Sequence, residues 1–443
     1  MADAGCSAQG TCPRLRRTID VARVEDGGGR MLRLYDRSDP TGSQVVLSEH
    51  GVMLASLLDG TRSVSAIRAQ FANRLGAPIE LADVMRFVEQ LDEAYLLESE
   101  RYAGRERRIA ESFRSGATRR AHHAGGAYPS DPVELRIFLD RQYLAPGGPG
   151  DAPGPSRRAP LRGLIAPHID LHRGGHSYAW GYRELAESEP ADLYVLLGTS
   201  HAPMRYPFAA TARPYDTPLG PVRAAPEFVE RLAGRSPFDL FAGELNHRAE
   251  HSLEFQALYL RYLGHSGPAG SAEVVTILCV PPDDGRSGSL PTDSAALAEF
   301  LDALRETIAD DGRRVCFVAG ADFAHVGHQF GDPGLVDESF AAHVRRGDLA
   351  MLDLVARGDA DGFYRQVIDE TPSPGMAGDS RATGGARRIC GLAPMYALLS
   401  LLGPTEGRVL HYDQWIDPRR TGSVTFGCVA FPAQPDERRD GCG

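Results

Sequence analysis

Residues 161–168 (LRGLIAPH), 193–201 (LYVLLGTSH) and 315–325 (VCFVAGADFAH) share one plan. Each is a short continuous apolar run, the pattern of a strand buried on both faces. Each then delivers a histidine: His168, His201 and His325. Helical patterns alternate with such runs through this part of the chain, the signature of an α/β sheet covered on both sides. In open α/β sheets the side chains just beyond the strand C-termini line the ligand crevice, because the following loops turn back there. Three histidines far apart in sequence are therefore expected to converge. One histidine at a strand end is more often packed or solvated than a ligand, but here that account must be invoked three times. Nine of the fourteen histidines fall between His168 and His328.

Two further segments point to the same crevice. Residues 250–254 (EHSLE) open a helix, with Ser252 as a candidate cap and Glu254 in the first turn, which would aim His251 and a carboxylate at a pocket. A capping cluster alone would explain the same residues. Residues 389–394 (ICGLAP) place Cys390 between a Gly-rich loop and an amphipathic helix at 395–402, and a helix N-terminus favours thiolate. Cys279, Cys316 and Cys428 lie inside apolar runs and read as inert core.

Composition narrows the function classes. The 443 residues suggest two or three domains. With 48 basic against 59 acidic residues the chain carries −11, a field that repels polyanions, so no nucleic-acid partner is expected. Every basic residue is Arg, which excludes Schiff-base, PLP and Walker-A chemistry. Seven scattered cysteines without a CxxC pair argue against a disulfide framework or zinc ribbon and for a reducing compartment. No leader pattern and no apolar stretch of about 18 residues is found, so the expectation is a cytoplasmic protein without a membrane partner.

Residues 15–100 read as a small winged-helix-like α+β unit. Strand-like runs at 31–35 and 44–47 precede a helical pattern (Val52, Met53, Leu57, Leu58) halted at Asp59-Gly60. A second helix runs from near Ser63 through Ile67, Phe71 and Leu75 to Gly76, and a third through Val84, Phe87, Val88 and Leu91. Residues 101–125 read as a charged linker. Its seven arginines interleave with Glu106 and Glu111, and His122 and His123 read as solvated. The second domain spans 126–432, with a helix at 131–144 and long loops at 145–160, 281–294 and 371–387, the last two long enough to be lids or inserts. Residues 433–443 read as a flexible tail. Trp180 and Tyr182 read as core rather than as stacking platforms.

Residues 57–67 (LLDGTRSVSAI) and 87–97 (FVEQLDEAYLL) make the first unit resemble PqqD-like domains, which capture a peptide as an added strand. The second domain carries GAYPSD at 126–131, APH at 166–168, LGTSH at 197–201, TPLG at 217–220, EHSLE at 250–254, DFAH at 322–325 and ICG at 389–391. In these strings and their order it resembles the Memo family, of the bacterial AmmeMemoRadiSam system protein B type. The resemblance implies a fold similar to class III extradiol dioxygenases, which hold non-haem Fe(II). It implies a metal held by His168, His201 and Cys390, with Asp322 and His325 lining the pocket. One departure stands out: HAGYxYSG is replaced at 168–176 by HIDLHRGGH, which adds Asp170, His172, Arg173 and His176.

Two imidazoles and a thiolate match a facial triad in charge with a softer third ligand, so Fe(II) is favoured by the resemblance while Cu and Zn also suit the set. The expected activity is an iron-dependent oxidoreductase of dioxygenase type acting on a small molecule and linked to a radical SAM system. His325 and His251 would shuttle protons and Asp322 would orient His325. With zinc or copper, hydrolysis or metal handling would follow. The alternative is a non-catalytic scaffold that captures a peptide for a radical SAM partner. A cysteine hydrolase built on Cys390, His325 and Asp322 has the right residue types, but a metal accounts for them better.

Overall fold

The computed structural model describes residues 10–433 apart from 27–28, 37–43, 77, 157, 266–269, 271, 282–288 and 371–385. Most of the two loops expected at 281–294 and 371–387, and the tail from 434, lie outside the described residues. Contacts divide the chain into Met1–Gly116 and Ala117–Gly443.

In the first unit, β1 (Ile19–Asp26), β2 (Gly29–Asp36) and β3 (Gln44–Ser48) form an antiparallel sheet in that order. They are followed by α1 (Glu49–Ala55), α2 (Val64–Leu75), α3 (Leu81–Glu93) and α4 (Glu100–Ser115). Helix α2 begins where the sequence said, because the Ser63 side chain accepts from the Ala66 N–H, and it stops at Gly76, whose φ of 68° suits a residue without Cβ. Leu57, Ile67, Phe71, Val84 and Leu91 bury against one another as the core. Two features were not expected. Strand β1, rich in charged residues, is fixed by pairing with β2 along its whole length. The charged stretch 101–125 is not a linker: most of it continues α4, which is capped by Ser99, and residues 117–125 belong to the second unit, where Arg119 is fully buried.

The second unit contains α5 (Pro132–Leu144), β4 (Leu161–Ala166), α6 (Leu171–Glu187), β5 (Leu193–Thr199), β6 (Phe208–Thr211), α7 (Pro226–Arg235), α8 (His251–Tyr262) and β7 (Glu273–Cys279). It continues with α9 (Ala295–Asp311), β8 (Val315–Gly320), the two-residue β9 (His325–Val326), α10 (Glu338–Ala356), α11 (Ala360–Ile368), α12 (Leu392–Leu402), β10 (Arg408–Ile416) and β11 (Ser423–Pro432). The sheet order is β10-β11-β4-β8-β5-β7-β6, with β9 on β11. Strands β4, β8, β5 and β7 are parallel, as the continuous apolar runs imply. Successive side chains enter opposite cores: Leu193, Val195 and Leu197 pack with α7 and α9–α12, while Tyr194 and Leu196 pack with α5, α6 and α8. Burying each such side chain contributes about 1.5–3 kcal/mol.

Parallel pairing also fixes the level of the strand ends. Ala166 and Gly198 both lie opposite Gly320, so the segments carrying His168, His201 and Asp322 leave the sheet side by side at one edge. No described helix is long and apolar enough to cross a membrane.

Candidate metal centre

His168 stands two residues past β4 and is 2% exposed. Its backbone N–H donates to Asp322 Oδ1 at 2.8 Å, and its Nδ1 lies 2.9 Å from the Gly320 carbonyl. A carbonyl only accepts, so Nδ1 carries the proton and Nε2 the lone pair. His201, just past β5, is held from behind by Glu250, which accepts from its backbone N–H at 2.9 Å and lies 3.0 Å from its Nδ1. His251 opens α8, and its Nδ1 lies 3.2 Å from the same carboxylate. The three rings sit 4.7–5.3 Å apart between centroids. One nitrogen from each lies within 4.8 Å of the others.

Cys390 touches one member of this group. Its Sγ is 3.1 Å from His168 Nε2 and 3.7 Å from the Asp322 carbonyl. Thr199 Oγ1 donates to the Cys390 carbonyl at 3.0 Å, and the Gly391 N–H donates to the Asp322 carbonyl at 3.0 Å. A Cβ at Gly391 would come within 2.5 Å of Ala321 Cβ and 2.6 Å of the Asp322 oxygen, so only glycine lets this turn lie so close to the end of β8. Just upstream, Arg387 is buried against Asp348 and Glu370, and Arg388 pairs with Asp332 at 2.7 Å.

Burial dominates the electrostatics. It pushes the His168 imidazole down to about 3, with His201 adding to the effect, and holds His251 well below its usual range. Both rings are neutral at pH 7, the form that ligates metals. Burial works against charge on Glu250, but the imidazoles of His201 and His251 and their hydrogen bonds keep its carboxyl well below the ordinary range. Burial raises Asp322 to about 6, against the pull of His325, and lowers His325 to about 4. Loss of solvent also pushes the Cys390 thiol well above its usual value, with Asp322 adding to it. The thiolate expected from the start of α12 is therefore not supplied by the protein alone; desolvation outweighs the helix end.

Other expectations need correction. His325 Nδ1 faces the Phe323 carbonyl at 3.1 Å, so that carbonyl orients the ring and the Asp322 side chain instead takes the His168 N–H. Cys390 Sγ lies against His168, which disfavours a hydrolase dyad with His325. Helix α8 is capped by Glu250, which accepts from the Ser252 N–H, and Ser252 donates to the Thr199 carbonyl. Glu254 turns away from the crevice to Arg119, Tyr128 and the backbone N–H groups of His122 and His123. His123 is thereby drawn in, its ring 5.6 Å from His251. The carboxylate that matters, Glu250, was overlooked, although it directly precedes His251 in EHSLE. In the departure segment, Asp170 caps α6 and pairs with Arg173, which lies over the Trp415 ring at 4.8 Å. His176 bonds Asp413, and Tyr182 is wholly buried, as expected for core.

The model of the family described as "Memo-like protein" matches residues 119–428. A "MEMO1 family protein" of Aquifex aeolicus is 28% identical over 398 residues, covering 89% of this chain and 94% of its own. The MEMO1 family protein TTHA0924 of Thermus thermophilus is 26% identical over 370 residues, 84% of this chain and 99% of its own. Both extend over more of the chain than Ala117–Gly443 contains, so they include part of the first unit. The relative PF1638 of Pyrococcus furiosus, 27% identical, covers 71% of this chain and 98% of its own. With a family-model match over residues 119–428, most of its length, the chain belongs to the Memo-like protein family.

Proposed function

We propose that the second unit is a mononuclear metal centre of an iron-dependent oxidoreductase type related to class III extradiol dioxygenases, with His168, His201 and Cys390 as ligands and Fe(II) as the ion. The observation that carries this reading is the set of imidazoles whose Nδ1 atoms are engaged behind the rings, by Gly320 for His168 and by Glu250 for His201 and His251. The donor set fits. Two donors held by one ion at about 2.1 and 2.3 Å lie roughly 3–3.7 Å apart, and Cys390 Sγ and His168 Nε2 are 3.1 Å apart. When bound, such an ion would supply a Lewis-acidic, redox-active point with positions open to a small substrate, and the Cys390 thiol would give up its proton to solvent. His251, neighbouring both imidazole ligands, offers itself as a fourth donor or as a proton carrier beside them. His325 carries protons beside Asp322, and Asp322 holds the backbone of both His168 and Gly391 in place.

The test is metal analysis of protein purified without oxygen and without a His-tag, with an oxygen electrode beside it. Iron near one equivalent in wild type, and its loss in His168→Ala and Cys390→Ala, is expected. Wild-type iron in both variants would overturn the ligand assignment.

A second reading is favoured by the first unit. Among the described residues β1 and β3 each pair with β2 alone, leaving outer edges of the kind that accept an added strand. On this reading the chain is a scaffold that presents a peptide to a radical SAM partner. Micromolar binding of an unstructured peptide by the full chain, with no oxygen uptake, would support it.

A further inference from the structure

We propose that Tyr178, Tyr259 and Tyr262 form a redox conduit that drains one-electron oxidising equivalents from the His168 centre to the protein surface at Asp140, and so spares Cys390. The proposal rests on the metal reading above.

The rings form an unbroken chain of contacts. Tyr178 and Tyr259 lie parallel, 5.2 Å apart between centroids, and Tyr259 meets Tyr262 at 6.2 Å. Tyr182 extends the stack, 4.4 Å from Tyr259. Its inner end is tied to both neighbours of His168. The Tyr178 hydroxyl donates to the Ile169 carbonyl at 2.9 Å, while Tyr182 donates to Gln256 Oε1 at 2.6 Å and Gln256 Nε2 donates to the Pro167 carbonyl at 2.8 Å. Tyr178, Tyr182 and Tyr259 are fully buried, whereas Tyr262 is half-buried and Asp140 exposed. The path therefore runs from the backbone that carries a metal ligand to solvent.

The proton acceptors set its direction. A tyrosine ring that loses an electron becomes a strong acid and holds the vacancy only if its phenol proton has somewhere to go. Tyr178 and Tyr259 donate to backbone carbonyls, of Ile169 and Gly175, which are poor bases. Tyr262 alone on this path donates to a carboxylate, that of Asp140. The step balances as follows. A one-electron oxidant formed at the centre when Fe(II) meets a peroxide takes an electron from Tyr178, and the vacancy passes through Tyr259. Tyr262 then ends as a neutral phenoxyl radical, with its proton on Asp140. A thiol in solution returns a hydrogen atom to the phenoxyl oxygen, and Asp140 releases its proton to water. Cys390 gains from this because a thiolate beside a metal is otherwise the group that climbs to sulfinic and sulfonic acid.

The test uses full-length protein loaded anaerobically with Fe(II), assayed for iron, and mixed with hydrogen peroxide. Rapid-freeze electron paramagnetic resonance and peptide mass spectrometry of Cys390 are the readouts. Wild type is expected to give a tyrosyl signal. Tyr262→Phe, which keeps the ring packing, and Asp140→Asn, on the exposed surface, are expected to lose that signal and to raise Cys390 overoxidation severalfold at unchanged iron. The proposal is overturned if iron-loaded wild type gives no tyrosyl signal, or if Cys390 is oxidised equally in wild type and Tyr262→Phe. Absence of iron from wild type removes the metal reading and the conduit together, and the iron assay on the same sample tells that outcome from the others.

Discussion

The second unit holds two groups of histidines and carboxylates, and they differ in what the rings face. In the first, Gly320 and Glu250 engage the Nδ1 atoms of His168, His201 and His251 from behind, and the three rings close on a common point. In the second, His176 spends Nε2 on Asp413 at 2.7 Å, and His411 turns Nδ1 to Ser177 Oγ at 3.1 Å beneath the stacked Trp180. The rings of His176 and His411 are 5.6 Å apart, little more than in the first group, so nearness alone does not make a metal site. What decides is whether the supporting acceptors lie behind the rings or among them. The sharpest break of this contrast is substitution on both sides. His168→Ala or His201→Ala should abolish iron binding, while His176→Ala and His411→Ala should retain it, measured as metal content after anaerobic purification. Iron lost from the second pair would erase the distinction.

The next effect in size probes the support rather than the ligands. Glu250→Gln keeps the shape of the side chain but weakens acceptance from His201 and His251, and loss of such a partner typically costs about 10–100-fold in metal affinity. Competition titration against a chelator measures it. The matched change Asp413→Asn should leave metal affinity unchanged.

How much of this was legible in the sequence follows the range of the forces. A continuous apolar run is a local signal, so the strands ending at Ala166, Thr199 and Gly320 and the meeting of His168 and His201 could be read directly, whereas the third ring of the group is His251 rather than the expected His325. Cys390 stood out locally at the start of a helix, but its place beside His168 came only with the family strings, since a turn cradled by Thr199 and Asp322 leaves little local trace beyond Gly391. Glu254 was misassigned because its partner Arg119 lies 135 residues away, in a stretch whose charge resembled a linker. Glu250 escaped because the cap was read at Ser252 and the carboxylate at Glu254, whereas the helix starts at His251 and Glu250 itself is the cap. The reactivity of Cys390 was misjudged for a similar reason: sequence shows the helix end but not the burial that outweighs it.

A buried histidine outside both groups, His247, sets the baseline for them. His247 donates from Nε2 to the Ala209 carbonyl at 3.1 Å and accepts at Nδ1 from the Tyr215 hydroxyl at 2.9 Å. Burial lowers it from 6.5 to about 3. Below pH 6.5 the unfolded chain binds a proton on this ring that the folded chain refuses, so its contribution is complete above that value and is lost as the pH falls towards 3. The expected slope is about 1.4 kcal/mol per pH unit for one such group. Denaturant melts of metal-free His247→Gln between pH 6.5 and 4 should show a shallower loss of stability than wild type, by up to that amount. An unchanged slope would mean that the ring is protonated in the fold.

The smallest effect tests the second group on its own terms. Asp413 is half-exposed, and the hydrogen bond from His176 is the first cause holding its carboxyl below the usual range, ahead of the opposing effect of burial. Solvent screens the pair, so Asp413→Asn should cost no more than about 0.2–1 kcal/mol by chemical denaturation at neutral pH. The amide can still accept from His176, which keeps the ring where it is. If the loss is much larger, or if the variant takes up iron less well than wild type, the His176–Asp413 pair shares in the work of the edge it flanks. The contrast between grouped and dispersed nitrogens would then have to be redrawn around the whole segment that replaces the family's HAGYxYSG string.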